Sequence, residues 1–351
     1  MERSLNMKYT ILPNTNLKVS KICLGTMTFG NQNTEAEAHE QLDFAIEKGV
    51  NFIDTAEMYA IPASPDTQGL TEKYIGSWIS KAGMRSKIVL ASKVTGPSRG
   101  FSHIREELDF SKESLEDALH KSLKRLQTDY LDLYQLHWPE RAVNIFGTRD
   151  YNHAPNKRWE DNLAEILERL EAFVKEGKVR HLGLSNETPF GVMRYMEENR
   201  KGKLKMVSVQ NAYNLLQRRD EVGLTEVLQM ENIGYLPYSP LGFGVLTGKY
   251  LNGQKPANAR VTLYPRYSRY SSESSMEATK AYKEIAETFG LSLTQLALAF
   301  VNERPFVTSN IIGATSVAQL SENIDSINVT LSEEILNKIQ SVHERMPNPA
   351  P

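Results

Sequence analysis

One cysteine, Cys23, is all that the 351 residues contain. An internal disulfide is therefore excluded, and no Cys/His cluster at ligand spacing points to zinc. Cys23 lies in an apolar, strand-like run and is expected to be a buried, inert thiol. Long hydrophobic runs are missing too. No stretch approaches the roughly 18 apolar residues of a membrane span, and residues 1–6, MERSLN, offer no apolar signal core. No membrane insertion is expected, and the chain is expected in the cytoplasm. Neither sign of charge dominates: the formal net charge is -2 with no large basic block, which gives no reason to expect nucleic acid or an anionic membrane as partner. A GxGxxG fingerprint is also absent. CLGTMTFG after the first barrel-type run lacks that spacing, which argues against an open, doubly wound sheet.

The composition that is present, 40% hydrophobic and 24% charged, suits a globular chain with a sizeable core. MERSLN carries no fold signal and is expected to be an extension or tag remnant before a single domain over 7–351. Residues 7–20 alternate around PNTN and predict a β-hairpin. Short apolar runs then begin near residues 22, 51, 88, 131, 180, 206, 235 and 307. Between them lie helical periods over 34–48, 70–82, 111–126, 162–175, 189–198 and 221–231. Residues 241–272 have weak periodicity and read as one long loop. Helical stretches over 276–289, 292–301, 317–326 and 331–342 close the pattern. Alternating strand and helix argues for a parallel α/β fold, and eight repeats argue for closure into a (β/α)8 TIM barrel with long loops on its C-terminal face.

In such a barrel, side chains just past the strand ends converge on one mouth. Asp54, Lys93, His137, Ser185, Asn186 and Gln210 all fall at such ends, with Tyr59 on the adjoining loop. Each alone has an ordinary structural explanation: a strand cap, a solvated lysine, a packed tyrosine. Their recurrence at one position of successive units is the informative fact. A phenol with a pKa near 10 can protonate an oxygen as hydride reaches carbon. A nearby Lys93 is expected to favour the phenolate, with Asp54 holding the lysine and His137 polarising the carbonyl. Ser185, Asn186 and Gln210 offer groups suited to a carboxamide. The same lysine also fits a Schiff-base aldolase.

FIDTAEMY, ASK, LHWP, GLSN, VQN and YSPLGFGVLTGKY, in this order, resemble the aldo-keto reductase family. The pattern is more distantly similar to the β subunits of potassium channels. The resemblance covers the chain from Lys8 to the tail. It implies an NADP-dependent oxidoreductase that reduces aldehydes or ketones to alcohols, with NAD(H) as the lesser cofactor and a small carbonyl compound as the partner. By resemblance, Tyr59 is the general acid, supported by Asp54, Lys93 and His137. Ser185, Asn186 and Gln210 hold the nicotinamide carboxamide, and Tyr238 stacks on its ring. Ser239, Pro240, Leu241, Gly242, Phe243, Gly244, Val245, Leu246, Thr247 and Gly248 line the pyrophosphate, with Lys249 nearby. Gly313, Thr315, Gln319, Glu322 and Asn323 surround the adenosine end. Read without the resemblance, the glycines of 242–248 simply turn a long loop.

Two departures stand out. The tyrosine motif reads EMYA, where many relatives have Gly after Tyr. GATSVAQ lacks the Lys or Arg that many relatives place against the 2′-phosphate, and Lys249 or Arg260 is expected to supply that charge. Met58, Trp78, Arg105, Trp138 and Phe243 are expected to border the substrate pocket. The loop from Arg141 to Trp159, with Tyr151 and His153, reads as a lid or a protein contact. The likeness to channel subunits leaves open a slow, cofactor-loaded, redox-sensing regulator. Oligomeric state is not legible.

Overall fold

The computed structural model describes residues 7–97, 100–152 and 159–350; MERSLN and His153 lie outside the described residues. An antiparallel hairpin comes first, β1 (Tyr9–Ile11) and β2 (Lys18–Ser20), with Tyr9 opposite Ser20 and Ile11 opposite Lys18. Eight parallel strands follow: β3 (Ile22–Gly25), β4 (Phe52–Asp54), β5 (Val89–Val94), β6 (Leu131–Leu136), β7 (Val179–Ser185), β8 (Met206–Gln210), β9 (Gly234–Tyr235) and β10 (Asn310–Ile312). Their spatial order runs from β3 through β9 in sequence, with β10 beside β3. The seam between β9 and β10 is closed by Thr308 N donating to Tyr235 O and Ile311 N donating to Pro237 O, each at 2.9 Å. The eight strands therefore form the expected barrel.

Helices wrap it: α1 (Glu35–Glu47), α2 (Leu70–Ala82), α3 (Lys112–Leu126), α4 (Leu163–Lys175), α5 (Pro189–Arg200), α6 (Leu224–Met230), α7 (Arg260–Leu263), α8 (Glu273–Thr288), α9 (Leu293–Asn302), α10 (Val317–Asp325) and α11 (Glu333–Arg345). Local chemistry sets their starts. Thr34 with Glu37, and Ser292 with Gln295, form capping boxes, and the Ser111 hydroxyl accepts from Ser114 N. Leu12, Leu17 and Val19 of the hairpin region pack against Cys23, Phe52, Val89 and Leu133 of the barrel interior, so the hairpin plugs the end opposite the strand C-termini. Cys23 is fully buried there, and burial pushes its thiol well above the ordinary range. Among the described residues no single helix is long and apolar enough to cross a membrane.

Three boundaries differ from expectation. The period over 221–231 is split, because Arg219–Val222 forms a 3-10 turn and α6 starts only after Gly223. The run near 307 contributes an isolated bridge at Val307 before β10 begins at Asn310. The stretch 241–272 is not one irregular loop. It holds 3-10 turns at Gly242–Thr247 and Leu251–Gly253, and α7. Such short turns leave no long-range periodicity to read.

Candidate active site

Alternation along the strands decides which side chains reach the barrel axis. Phe52 and Asp54, then Val89, Ala91 and Lys93, then Leu133 and Gln135 point inward, so an apolar floor gives way to a polar layer just below the mouth. Parallel register brings the layer together: Lys93 lies opposite Gln135, Gln135 opposite Gly183, and Ser185 opposite Gln210. Gly183 is needed there, because an added Cβ would sit 2.5 Å from Ser208 Oγ and 3.1 Å from Gln135 Cγ.

The layer is a connected network. Lys93 Nζ donates to Asp54 Oδ2 at 2.6 Å and to Thr55 O at 2.8 Å, and stands 3.5 Å from the Tyr59 hydroxyl. Gln210 Nε2 and Gln135 Nε2 donate to the other carboxylate oxygen at 2.8 and 3.2 Å. Lys93 is fully buried. Burial alone would lower its pKa, but Asp54 and Tyr59 outweigh it and hold the ammonium above its usual value. The Tyr59 phenol is pushed up by burial, which outweighs the opposing pull of Lys93. Lys93 does favour the phenolate, as expected, but burial outweighs it, so the lysine only limits the rise and Tyr59 stays protonated at neutral pH. His137 is held well below its ordinary value, by burial first and Lys93 second, and is neutral. Its ring meets Tyr59 edge-on with centroids 5.9 Å apart, and its Nδ1 is buried without a partner among the described residues.

A second set stands beside the first. Asn186 adopts a left-handed φ of 53°, tolerable for Asn. Its amide donates to His137 O at 2.9 Å and accepts from the Tyr238 hydroxyl at 2.6 Å. Ser185 Oγ donates to Gln210 O at 2.8 Å. Burial pushes the Tyr238 phenol up to about 12.

These groups open into one cavity of about 680 Å3. Asp54, Tyr59, His137, Ser185, Asn186, Gln210 and Tyr238 line one part. Ser239, Pro240, Leu241, Phe243, Gly244, Thr247, Lys249 and Arg260 line the next, and Gly313, Thr315, Gln319, Glu322 and Asn323 line the far part. Lys93 acts from behind Asp54 and Tyr59 and does not line it. Gly242, Val245, Leu246 and Gly248 do not line it either; Val245 and Leu246 turn into the hydrophobic core. Of the expected pocket borders, Met58, Trp138 and Phe243 are present. Trp78 is not: it is buried under α2 and donates to Asp43 Oδ1 at 2.7 Å. Arg105 is not either, because it pairs with buried Glu57.

The loop after β6 is anchored over its first part, residues 141–149. Arg141 pairs with Glu187, and Arg149 Nη1 donates to Asn348 O at 2.8 Å. Its inner residues Ile145 and Phe146 join an apolar cluster with Met58, Ile104 and Trp138.

Residues of the site that were not anticipated include Gln135 in the buried network, and Arg269 and Tyr267 in the cavity lining. Gln135 could have been found, as a polar residue at an inward position of an apolar strand. Arg269 and Tyr267 could not, since they sit in a segment without periodicity. Neither Lys249, Arg260 nor Arg269 has a carboxylate within ion-pair distance among the described residues; their charges act on tyrosines and, for Lys249, on Arg260.

Residues 21–344 match the model of the aldo/keto reductase family. The chain is 51% identical to "Protein tas" of Escherichia coli (strain K12), covering 98% of this chain and 100% of that protein. It is 32% identical to "Uncharacterized oxidoreductase YrpG" of Bacillus subtilis (strain 168), covering 96% of each. It is 29% identical to "Probable voltage-gated potassium channel subunit beta" of Oryza sativa subsp. japonica, over 97% of this chain and 98% of that one.

Proposed function

The chain belongs to the aldo/keto reductase family, and from that premise we propose that it reduces small aldehydes or ketones to alcohols using NADP(H). One observation carries the reading: a single cavity joins the Tyr59 group to a stretch holding two cations, Lys249 and Arg260, without carboxylate partners among the described residues. A dinucleotide fits that arrangement. The 242–248 turn brings Gly244 against Lys249, where an added Cβ would meet Cε at 2.7 Å. At Gly313 a Cβ would find nothing nearer than Gly25 O at 3.9 Å, which leaves the backbone open to the cavity. Lys249 and Arg260 supply charge for phosphate. Asn186, Gln210 and Ser185 face a carboxamide, Tyr238 offers a ring to stack on, and Gln319, Glu322 and Asn323 border the adenosine end.

When bound, the reduced nicotinamide supplies hydride to the carbonyl carbon. The Tyr59 hydroxyl gives its proton to the carbonyl oxygen, and the substrate leaves as the alcohol. Lys93 stabilises the phenolate left behind until solvent returns the proton. Neutral His137 polarises the carbonyl by donating to its oxygen. A Schiff base on Lys93 is disfavoured, because its Nζ is enclosed by Asp54, Thr55 and Tyr59 and the residue has no exposure. An intact Asp54–Lys93–Tyr59–His137 set favours turnover over a purely regulatory role.

The test is titration with NADPH and NADH, followed by protein fluorescence. Affinity for NADPH about tenfold or more above that for NADH is expected if Lys249 and Arg260 meet the 2′-phosphate. Equal affinities would remove that contact, and no binding of either would overturn the reading.

A further inference from the structure

We propose that Arg269 recognises a carboxylate on the carbonyl substrate, so that the compounds reduced carry an acidic group on an apolar, aromatic-sized body. The inference rests on the reductase reading. Among the described residues three cations line the cavity, and they divide into two groups. Lys249 and Arg260 act on each other, and Lys249 lies against the 242–248 turn. Arg269 does not belong to that pair. Its guanidinium is hydrogen-bonded with Tyr270 and Tyr238, the latter bonded in turn to Asn186. Its guanidinium lies 4.8 Å from the Phe243 ring centroid and 5.0 Å from that of Tyr270. Its Nε is buried with no hydrogen-bond partner among the described residues.

The neighbours of Arg269 on the other side belong to the loop after β6. A Cβ added at Gly147 would meet Arg269 Cβ at 3.7 Å. Next to Gly147, Phe146 stands edge-on to Trp138 at 5.7 Å; Trp138 packs on His137 at 5.0 Å, and His137 meets Tyr59 at 5.9 Å. An aromatic wall therefore runs from the proton donor to Arg269. The remaining described lining on this side, Met58, Ile61 and Phe101, is uncharged. Among the described residues two carboxylates line the cavity and both are committed elsewhere, Asp54 to Lys93 and Glu322 to the Ser292 hydroxyl at 2.8 Å. A guanidinium drawn out of water and met by two tyrosine hydroxyls and the Phe243 ring has, among the described residues, no anion to compensate its desolvation. A carboxylate presents the two-oxygen geometry that its fork accepts.

The experiment compares kcat/KM of the full chain, with NADPH, on 3- and 4-carboxybenzaldehyde and on their methyl esters. The acids are expected to exceed the esters by about tenfold or more on at least one isomer. Arg269→Met is expected to collapse that acid-to-ester ratio toward one through KM of the acid, and Arg269→Lys to restore part of it. Turnover of both forms without an acid preference overturns this inference alone. So does an Arg269→Met variant whose loss is equal on acid and ester, or one whose main defect is a higher NADPH Kd measured by fluorescence, which would put Arg269 on a cofactor phosphate. Failure of every carbonyl compound, esters included, sinks the reductase reading and this inference with it.

Discussion

Lys93→Met tests the centre of the site. The side chain is fully buried, and its ammonium satisfies one oxygen of an Asp54 carboxylate that is itself almost fully buried. Methionine fills a similar volume but leaves Asp54 as an uncompensated buried charge, held only by the Gln210 and Gln135 amides. Removing one partner of such a pair costs about 3–5 kcal/mol. Unfolding entropy of roughly 2.1 cal/mol/K per residue amounts to about 0.7 kcal/mol/K for this chain, so Tm should fall by about 4–7 °C. Turnover should fall by about 100-fold or more, because the phenolate left after proton transfer loses its cation. The double variant Asp54→Asn/Lys93→Met separates the two effects. With neither charge present, most of the lost stability should return, while turnover stays low. Thermal unfolding and steady-state reduction of one aldehyde read both. A single variant as stable as the parent, or a double variant less stable than the single one, refutes the charge-compensation argument. Near-normal turnover of the single variant refutes the role given to Lys93.

Tyr59→Phe removes the proposed proton donor and should reduce kcat by about 100-fold to 10,000-fold with the NADPH Kd nearly unchanged; full turnover would reassign the acid. His137 is neutral when folded because burial and Lys93 depress its pKa, whereas the unfolded chain binds a proton near pH 6.5. Its contribution to stability is therefore present above about 6.5 and is lost as pH falls from there toward the folded value, by up to about 1.4 kcal/mol per pH unit. Denaturant unfolding of the parent and His137→Asn between pH 7 and 5 should show the steeper loss in the parent, and parallel curves would contradict the assignment. Gly244 has a φ of 88° and lies against Lys249. Gly244→Ala should cost about 1–2 kcal/mol of stability and weaken NADPH binding by about fivefold or more, as the lysine is displaced; an unchanged Kd would remove Lys249 from the phosphate site.

The barrel and its polar layer were legible in the sequence for one reason. Strand periodicity of two, and the habit of barrels to gather strand-end residues at one mouth, are both local rules. Asp54, Lys93, His137, Asn186 and Gln210 follow from them without coordinates, and Gln135 was equally available at an inward position. Trp78 shows the limit. A tryptophan reads the same whether it borders a cavity or packs under a helix, and only the Asp43 contact decides. Tyr59 shows another. Its neighbour Lys93 was evident, but whether burial or that cation sets the acidity depends on how completely the site is enclosed.

The sequence by itself determined the number and direction of the strands, the end of the barrel at which the polar groups gather, and the types of group found there, because each depends on spacing along the chain. The tertiary structure alone decided which members of the 242–248 turn face the cavity and which enter the core. It also decided that Arg105 and Arg141 serve buried glutamates and that Arg269 meets the loop after β6. Those outcomes depend on how irregular segments from distant parts of the chain fold over one mouth, and no periodic signal in the sequence records that.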